Sequence, residues 1–224
     1  TCSIGFDVES VDETRYARQV AELFATDHHE RIVSADQFDA IDSIAAIFDE
    51  PFADASALPT LRVCQLAREH VTVALSGDGA DEAFAGYRRQ MFHAREEQAR
   101  SVLPRTLRQP LFGSLGKVWP KADWAPRPLR AKSTLLALSA GGEAGYARAL
   151  AILAPEQRKA LYGDTMLRER GEYRAEQSFE ETMRDAPSRS GLDRAQYADL
   201  KFWLPGDILT KTDRTSMAVG LEAR

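Results

Sequence analysis

The sequence has only two cysteines in 224 residues, Cys2 and Cys64, far apart and without partners at metal-ligand spacing. Neither a disulfide framework nor a zinc site is therefore expected, and a reducing, cytoplasmic setting is the default. No apolar run reaches the ~20 residues of a membrane span, and the N-terminus lacks the basic-then-apolar layout of a signal peptide. Excess charge is missing too. The net formal charge is -5, too small to suggest disorder or a broadly nucleic-acid-binding surface. Internal repeats and low-complexity tracts are absent. The chain opens at Thr1 without a methionine, directly on a strand-like run, and reads as a piece of a longer protein.

Several common motifs are also lacking around "VALSGDGADEAFAGYRR", Val73 to Arg89. A dinucleotide fingerprint needs a third glycine where Glu82 stands, and a phosphate-binding P-loop would end in Gly-Lys-Ser/Thr. A nucleophile elbow needs glycine at the position of Ala74, so a serine hydrolase is not expected. The alternating acids of an EF-hand are not there. Adjacent His28 and His29 lack the His-Glu-x-x-His pattern and read as supports of a strand start.

What is present is an alternation of short strands and helices. "TCSIGF" predicts a strand, Asp12 or Glu13 can cap a helix carrying Tyr16, Val20, Leu23 and Phe24 on one face, and "HERIV" predicts a second strand. Phe38, Ile41, Ile44, Ile47 and Phe48 form the next helical stripe, ended by Pro51. A helix after Pro59 runs to about Glu69, and "VTVAL" (71–75) predicts a buried strand. This order predicts an α/β fold, a doubly wound parallel sheet covered on both faces. Beyond about residue 92 strand signals vanish. The predicted division is an α/β unit over 1–92 and a mostly helical part over 93–224, whose last segment, capped by Asp207 after a break at Pro205-Gly206, reads as one helix over about 207–224.

In such sheets ligands lie beyond the carboxyl ends of the strands, at helix N-termini. Ser76-Gly77-Asp78-Gly79 falls there, and the glycines allow a sharp turn and a close ligand approach. The same loop also reads as a plain turn whose acids cap the following helix. If phosphate binds at this edge, Asp78, Asp81 and Glu82 would repel it unless a cation such as Mg²⁺ bridges them. Basic groups must approach as well. Lys211 and Arg214, three apart on the final helix, share a face that could supply them, or could simply be solvated.

These residues resemble a known family. "LSGDGADEAFAGYRR" and "LPGDILTKTDRTSMAVGLEAR" are similar to the two signature stretches of the asparagine synthase domain of glutamine-dependent asparagine synthetases; "TCSIGF" and "DEPFADASALPT" also match, in the right order. The resemblance covers nearly the whole chain. It implies an adenine-nucleotide ATP-pyrophosphatase fold, ATP and Mg²⁺ as cofactors, adenylation of a carboxylate (aspartate first), and amide formation with ammonia from a glutaminase domain of the same parent chain. It further implies small-molecule substrates, no nucleic acid, no membrane, and a homodimer as a form of the full-length protein.

Residue by residue, the resemblance places Ile4 against adenine and Ser76 and Gly77 on the nucleotide. Asp78 stands where those synthetases usually carry glutamate, linked to forming the aspartyl-adenylate and to ammonia deprotonation. Asp81 matches an acid that holds Mg²⁺ on pyrophosphate. Arg214 falls where they place a catalytic lysine, with Lys211 a neighbouring candidate. The family's Ser-Gly-Gly-x-Asp-Ser loop would precede Thr1, and neither Cys2 nor Cys64 can replace the glutaminase nucleophile. This piece alone is therefore expected to be inactive.

The stretch "LPRTLRQPLFGSLGKVWPKADWAPRPLRAKST" is similar to a branch encoded with exopolysaccharide and exosortase systems, whose members amidate other carboxylates. Two further readings stay open. One is a nucleic-acid-binding piece carried by Arg88, Arg89, Arg95, Arg100, Arg105, Arg108, Arg127 and Arg130 with Trp119 and Trp124. The other is a nucleotide-binding relative without chemistry.

Overall fold

The two short segments at the front of the chain form strands where they are predicted, β1 (Cys2–Phe6) and β2 (His29–Val33). They pair in parallel, Cys2 opposite His29 through Phe6 opposite Val33. A parallel pair needs a crossover, which includes α1 (Thr14–Leu23). Its start is fixed by Asp12, whose carboxylate accepts the Thr14 hydroxyl at 2.8 Å and the Thr14 N–H at 3.4 Å. Glu13, the other predicted cap, makes no side-chain capping bond. The computed structural model describes residues 1–34, 40–120, 124, 126 and 131–224.

The face of α1 that carries Tyr16, Val20, Leu23 and Phe24 is exposed, between 56% and 77%, and the helix buries Thr14 and Ala21. One expectation about this front part is corrected. The strand predicted over 71–75 shrinks to β3 (Val73–Ala74), and Leu75 is 86% exposed. Among the described residues only β4 (Glu222–Ala223) pairs with it, in parallel, so nothing in a two-residue ladder covers the flanking residues. Among the described residues the architecture is mostly helical α/β with two small parallel sheets, β1-β2 and β3-β4.

The helices between these strands follow their stripes with shifted ends. α2 (Ala40–Ile47) carries Ile41, Ile44 and Ile47; Phe38 lies outside the described residues. Phe48 is buried and stacks on Phe52 at 4.3 Å. α3 (Ala57–Arg68) begins two residues before Pro59. Proline is tolerated there because first-turn N–H groups have no intrahelical acceptor.

Chain contacts divide the molecule into two compact units, residues 1–78 with 205–224, and residues 79–204. In the first, α3 carries Cys64 and Ala67 against Leu221, with Cys2, Ala74 and Val219 around them. Both thiols are free, and burial pushes the Cys64 thiol up.

The second unit is helical: α4 (Ala80–Phe84), α5 (Arg88–Val102), α6 (Arg105–Val118), α7 (Lys132–Ser139), α8 (Gly142–Leu150), α9 (Pro155–Leu161), α10 (Asp164–Arg170), α11 (Gln177–Asp185) and α12 (Gly191–Ala198). Residue 92, where strand signals fade, falls inside α5. The core is Tyr146, Met183, Ala195 and Ala198. Several arginines have structural partners. Arg89 pairs with Asp199, Arg100 with Glu96 and Glu97, and Arg108 donates to the carbonyls of Leu138 and Ala140. Arg127 and Arg130 lie outside the described residues.

His93 on α5 is buried, 3% exposed. Burial lowers its pKa from 6.5 to about 4, with Arg100 and Arg194 adding to the effect and Glu97 and Glu143 opposing it. The folded state then binds fewer protons than the unfolded chain between those values. Stability from this group is complete above pH 6.5 and falls by about 3 kcal/mol as pH drops to 4. Denaturant titrations across that range should show the loss, and His93→Leu should flatten it.

The C-terminal stretch also departs from expectation. Asp199–Leu209 forms wide π-type turns that run through Pro205 and Gly206 without a break. The Thr210 hydroxyl donates to the Pro205 carbonyl at 2.7 Å. α13 (Thr210–Ala218) follows directly, so Asp207 caps no helix start. Gly220 takes φ +71°, a left-handed geometry that stops helices cheaply at glycine, and the last residues turn into β4. The single helix predicted over 207–224 is thus a π-type turn, α13 and a strand. Among the described residues no helix is long and apolar enough to cross a membrane.

Candidate functional site

The three acids after β3 have three different environments. Asp78 is exposed, and its Oδ2 accepts the Ser76 hydroxyl at 3.1 Å and the Thr212 hydroxyl at 2.6 Å. Asp81, in the first turn of α4, is exposed, and its carboxylate has no hydrogen-bond or ion-pair partner among the described residues. Its backbone carbonyl instead accepts the Gly86 N–H at 2.9 Å. Glu82 is buried, 1% exposed, and accepts the Tyr87 hydroxyl at 2.7 Å. Burial and that carboxylate push Tyr87 up to about 12. Glu82 is therefore structural, and Asp78 caps nothing.

The glycines differ as well. Gly79 precedes α4 at φ +92°, a geometry that a side chain would strain. Gly77 has no such constraint, and a Cβ there would meet nothing within 4 Å among the described residues. The fold does not require glycine at 77, whereas a ligand lying on the backbone would.

α13 reaches this loop from the other end of the sequence. Thr212 bonds Asp78, and the Ser76 N–H donates to the Arg224 carbonyl at 2.8 Å. The two basic candidates flank Thr212. Lys211 is buried, 8% exposed, with its ammonium donating to Asp54 Oδ2 at 2.6 Å and Ser56 Oγ at 2.7 Å. Burial pushes the Asp54 carboxyl up, but Lys211 and Ser56 outweigh it and hold it below its ordinary value. Arg214 is exposed and pairs with Asp49. Both cations thus engage acids of "DEPFADASALPT". Exposed pairs are worth only about 0–1 kcal/mol, so Arg214 can exchange Asp49 for a more strongly charged anion.

Ile4 sits in the middle of β1, half-buried and opposite Arg31 of β2. It belongs to the other small sheet from the Ser76 loop, so its adenine role rests on the resemblance. Asp81 belongs to the second unit. Asp49, Asp54, Ser56 and Thr212 were not singled out from sequence. Asp54 and Ser56 had a signal, an Asp-x-Ser turn before a helix in which the Ser56 N–H and hydroxyl both return to Asp54. Thr212 had none.

No group of three or more His, Cys, Asp or Glu able to hold a metal occurs among the described residues. One free carboxylate at Asp81 fits Mg²⁺ nonetheless, because that ion is commonly held by one or two carboxylates plus phosphates and water.

The sequence profile of the asparagine synthase family matches residues 1–224. A protein of Mycobacterium tuberculosis with a provisional glutamine-hydrolysing asparagine synthetase name is 35% identical over all of this chain and 33% of its own length. Asparagine synthetase [glutamine-hydrolyzing] 1 of Bacillus subtilis is 29% identical over all of this chain and 34% of its own. A Methanocaldococcus jannaschii relative is 44% identical over 48% of this chain. The chain thus spans about a third of the length of these first two relatives. No solved structure matches. With its full length matched by one profile and both signature stretches in place, the chain belongs to the asparagine synthase family.

Proposed function

We propose that the chain is the nucleotide-binding part of an ATP-dependent, glutamine-dependent amidotransferase synthetase that adenylates aspartate and forms an amide with ammonia. The observation that carries this reading is the Thr212–Asp78 hydrogen bond of 2.6 Å across 134 residues. It joins the two signature stretches, as a site shared between them requires.

In this reading a carboxylate oxygen of aspartate attacks the α-phosphorus of ATP and pyrophosphate leaves. Ammonia then attacks the acyl carbon, and AMP departs with that oxygen. Ile4, Ser76 and Gly77 hold the nucleotide in the doubly wound ATP-pyrophosphatase arrangement. Asp78, oriented by Ser76 and Thr212, faces the carbon that becomes an amide and accepts a proton from the incoming nitrogen. Arg214 releases Asp49 and meets charge developing on the phosphates, while Lys211, tied to Asp54 and Ser56, fixes the start of α13 and adds its positive charge. Mg²⁺, held by Asp81, would neutralise the departing pyrophosphate. The glutaminase that supplies ammonia belongs to the parent protein.

Gly77 provides the test. Gly77→Ala adds a methyl that meets no atom of the described residues within 4 Å, so the melting temperature should be unchanged. ATP affinity in the full-length protein should fall about tenfold or more if nucleotide lies on this backbone. Unchanged affinity would remove the loop from the nucleotide site.

A further inference from the structure

The Asp78 carboxylate is bonded on one side only. Its Oδ2 accepts both hydroxyls, from Ser76 at 3.1 Å and from Thr212 at 2.6 Å, while its Oδ1 has no hydrogen-bond partner among the described residues. The residue is exposed, so Oδ1 is the oxygen left for a reacting group.

The two donors act differently. Ser76 sits two residues away on the same loop, and its Oγ also accepts the Asp78 N–H at 3.5 Å. It shapes the loop but cannot fix where the loop stands. Thr212 lies on α13, whose first turn is anchored without Asp78. Lys211 is buried on Asp54 and Ser56, and the fully buried Thr215 donates its hydroxyl to the Lys211 carbonyl at 2.8 Å. All these residues belong to one compact unit. A β-branched side chain has few χ1 choices in a helix, so the anchored backbone sets the direction of the Thr212 hydroxyl.

We infer that Thr212 is a positioning residue for amide formation, holding Asp78 Oδ2 so that Oδ1 receives the proton, a role that rests on the adenylation reading and assigns its second half. In that half the ammonia nitrogen bonds the acyl carbon, the bond from that carbon to the AMP oxygen breaks, and one N–H proton passes to Asp78 Oδ1 and on to water. The first half needs no such base. A carboxylate attacking the α-phosphorus carries no proton to lose, so adenylation does not depend on Thr212.

The test uses the full-length protein with ammonium chloride as nitrogen donor, which takes the glutaminase out of the assay. Thr212→Val keeps the side-chain shape and removes the hydroxyl. Water can replace that donor on the exposed Asp78, so the melting temperature should match wild type. Aspartate-dependent ATP–pyrophosphate exchange should stay within about twofold of wild type, whereas kcat for amide formation should fall about tenfold with KM for ATP unchanged. Thr212→Ser restores the donor and should bring amide formation back to within about threefold of wild type. Unchanged kcat in Thr212→Val, equal losses in exchange and amide formation, or no recovery with serine would overturn this role and leave adenylation standing. A wild type without exchange would overturn both.

Discussion

Replacing Asp81 by asparagine in the full-length protein is expected to lower aspartate-dependent ATP–pyrophosphate exchange about a hundredfold to a thousandfold, the scale of losing one electrostatic contact to developing charge. The melting temperature should not move, because the Asp81 carboxylate is exposed and has no side-chain partner among the described residues. Gly86→Ala extends the test. A methyl there would overlap the Asp81 carboxylate, with Cγ only 2.8 Å away, so the carboxylate must move. Gly86→Ala should therefore reproduce much of the loss without removing any charge. In the Asp81→Asn background it should add little, the non-additivity expected of two changes acting through one group. Exchange assays and melting curves on the three variants check this. Wild-type exchange by Asp81→Asn would remove Asp81 from the metal site.

The second large effect is on stability. Asp199 is fully buried and accepts hydrogen bonds from Gln90 and Tyr146, both at 2.7 Å, and from Arg89 at 3.2 Å. Burial raises its pKa despite those three donors, so the ionised pair is not itself a large stabiliser. Removing the acceptor is a different matter. Asp199→Ala would leave a partly buried guanidinium, a buried hydroxyl and a buried amide without their partner, at about 3–5 kcal/mol. Chemical denaturation should show that loss. Replacing the network by apolar residues of similar volume, Arg89→Met with Gln90→Leu, Tyr146→Phe and Asp199→Leu together, should cost much less. A single variant Asp199→Ala within about 0.5 kcal/mol of wild type would contradict the account.

How much of this was legible in the sequence varies by element. β1 and β2 were plain because short segments carrying Ile4 and Phe6, and Ile32 and Val33, are bounded by polar residues at Asp7, Asp27 and Ser34. β3 and β4 were not: a two-residue pair has no periodicity, and Glu222–Ala223 continues a helical-looking pattern. The signal there was Gly220, a helix-stopping glycine just after α13. Pro59 misplaced the start of α3 because proline marks a boundary only to within the first turn. At the site, residue types were readable and roles were not. Asp78, Asp81 and Glu82 look alike as a cluster, yet one is oriented by hydroxyls, one is free and one is buried on Tyr87. Burial decided among them, and burial depends on Tyr87 and Thr212, the latter far along the chain. Lys211 and Arg214 share a helix spacing but not an environment, for the same reason.

The central claim is that a carboxylate oxygen is transferred to AMP at this site. Incubating the full-length protein with ATP, glutamine and aspartate labelled with ¹⁸O in its side-chain carboxylate, then analysing the phosphorus products by mass spectrometry, tests it directly. One labelled oxygen in AMP is the predicted result. Label in inorganic phosphate, or in no phosphorus product while amide accumulates, would contradict it.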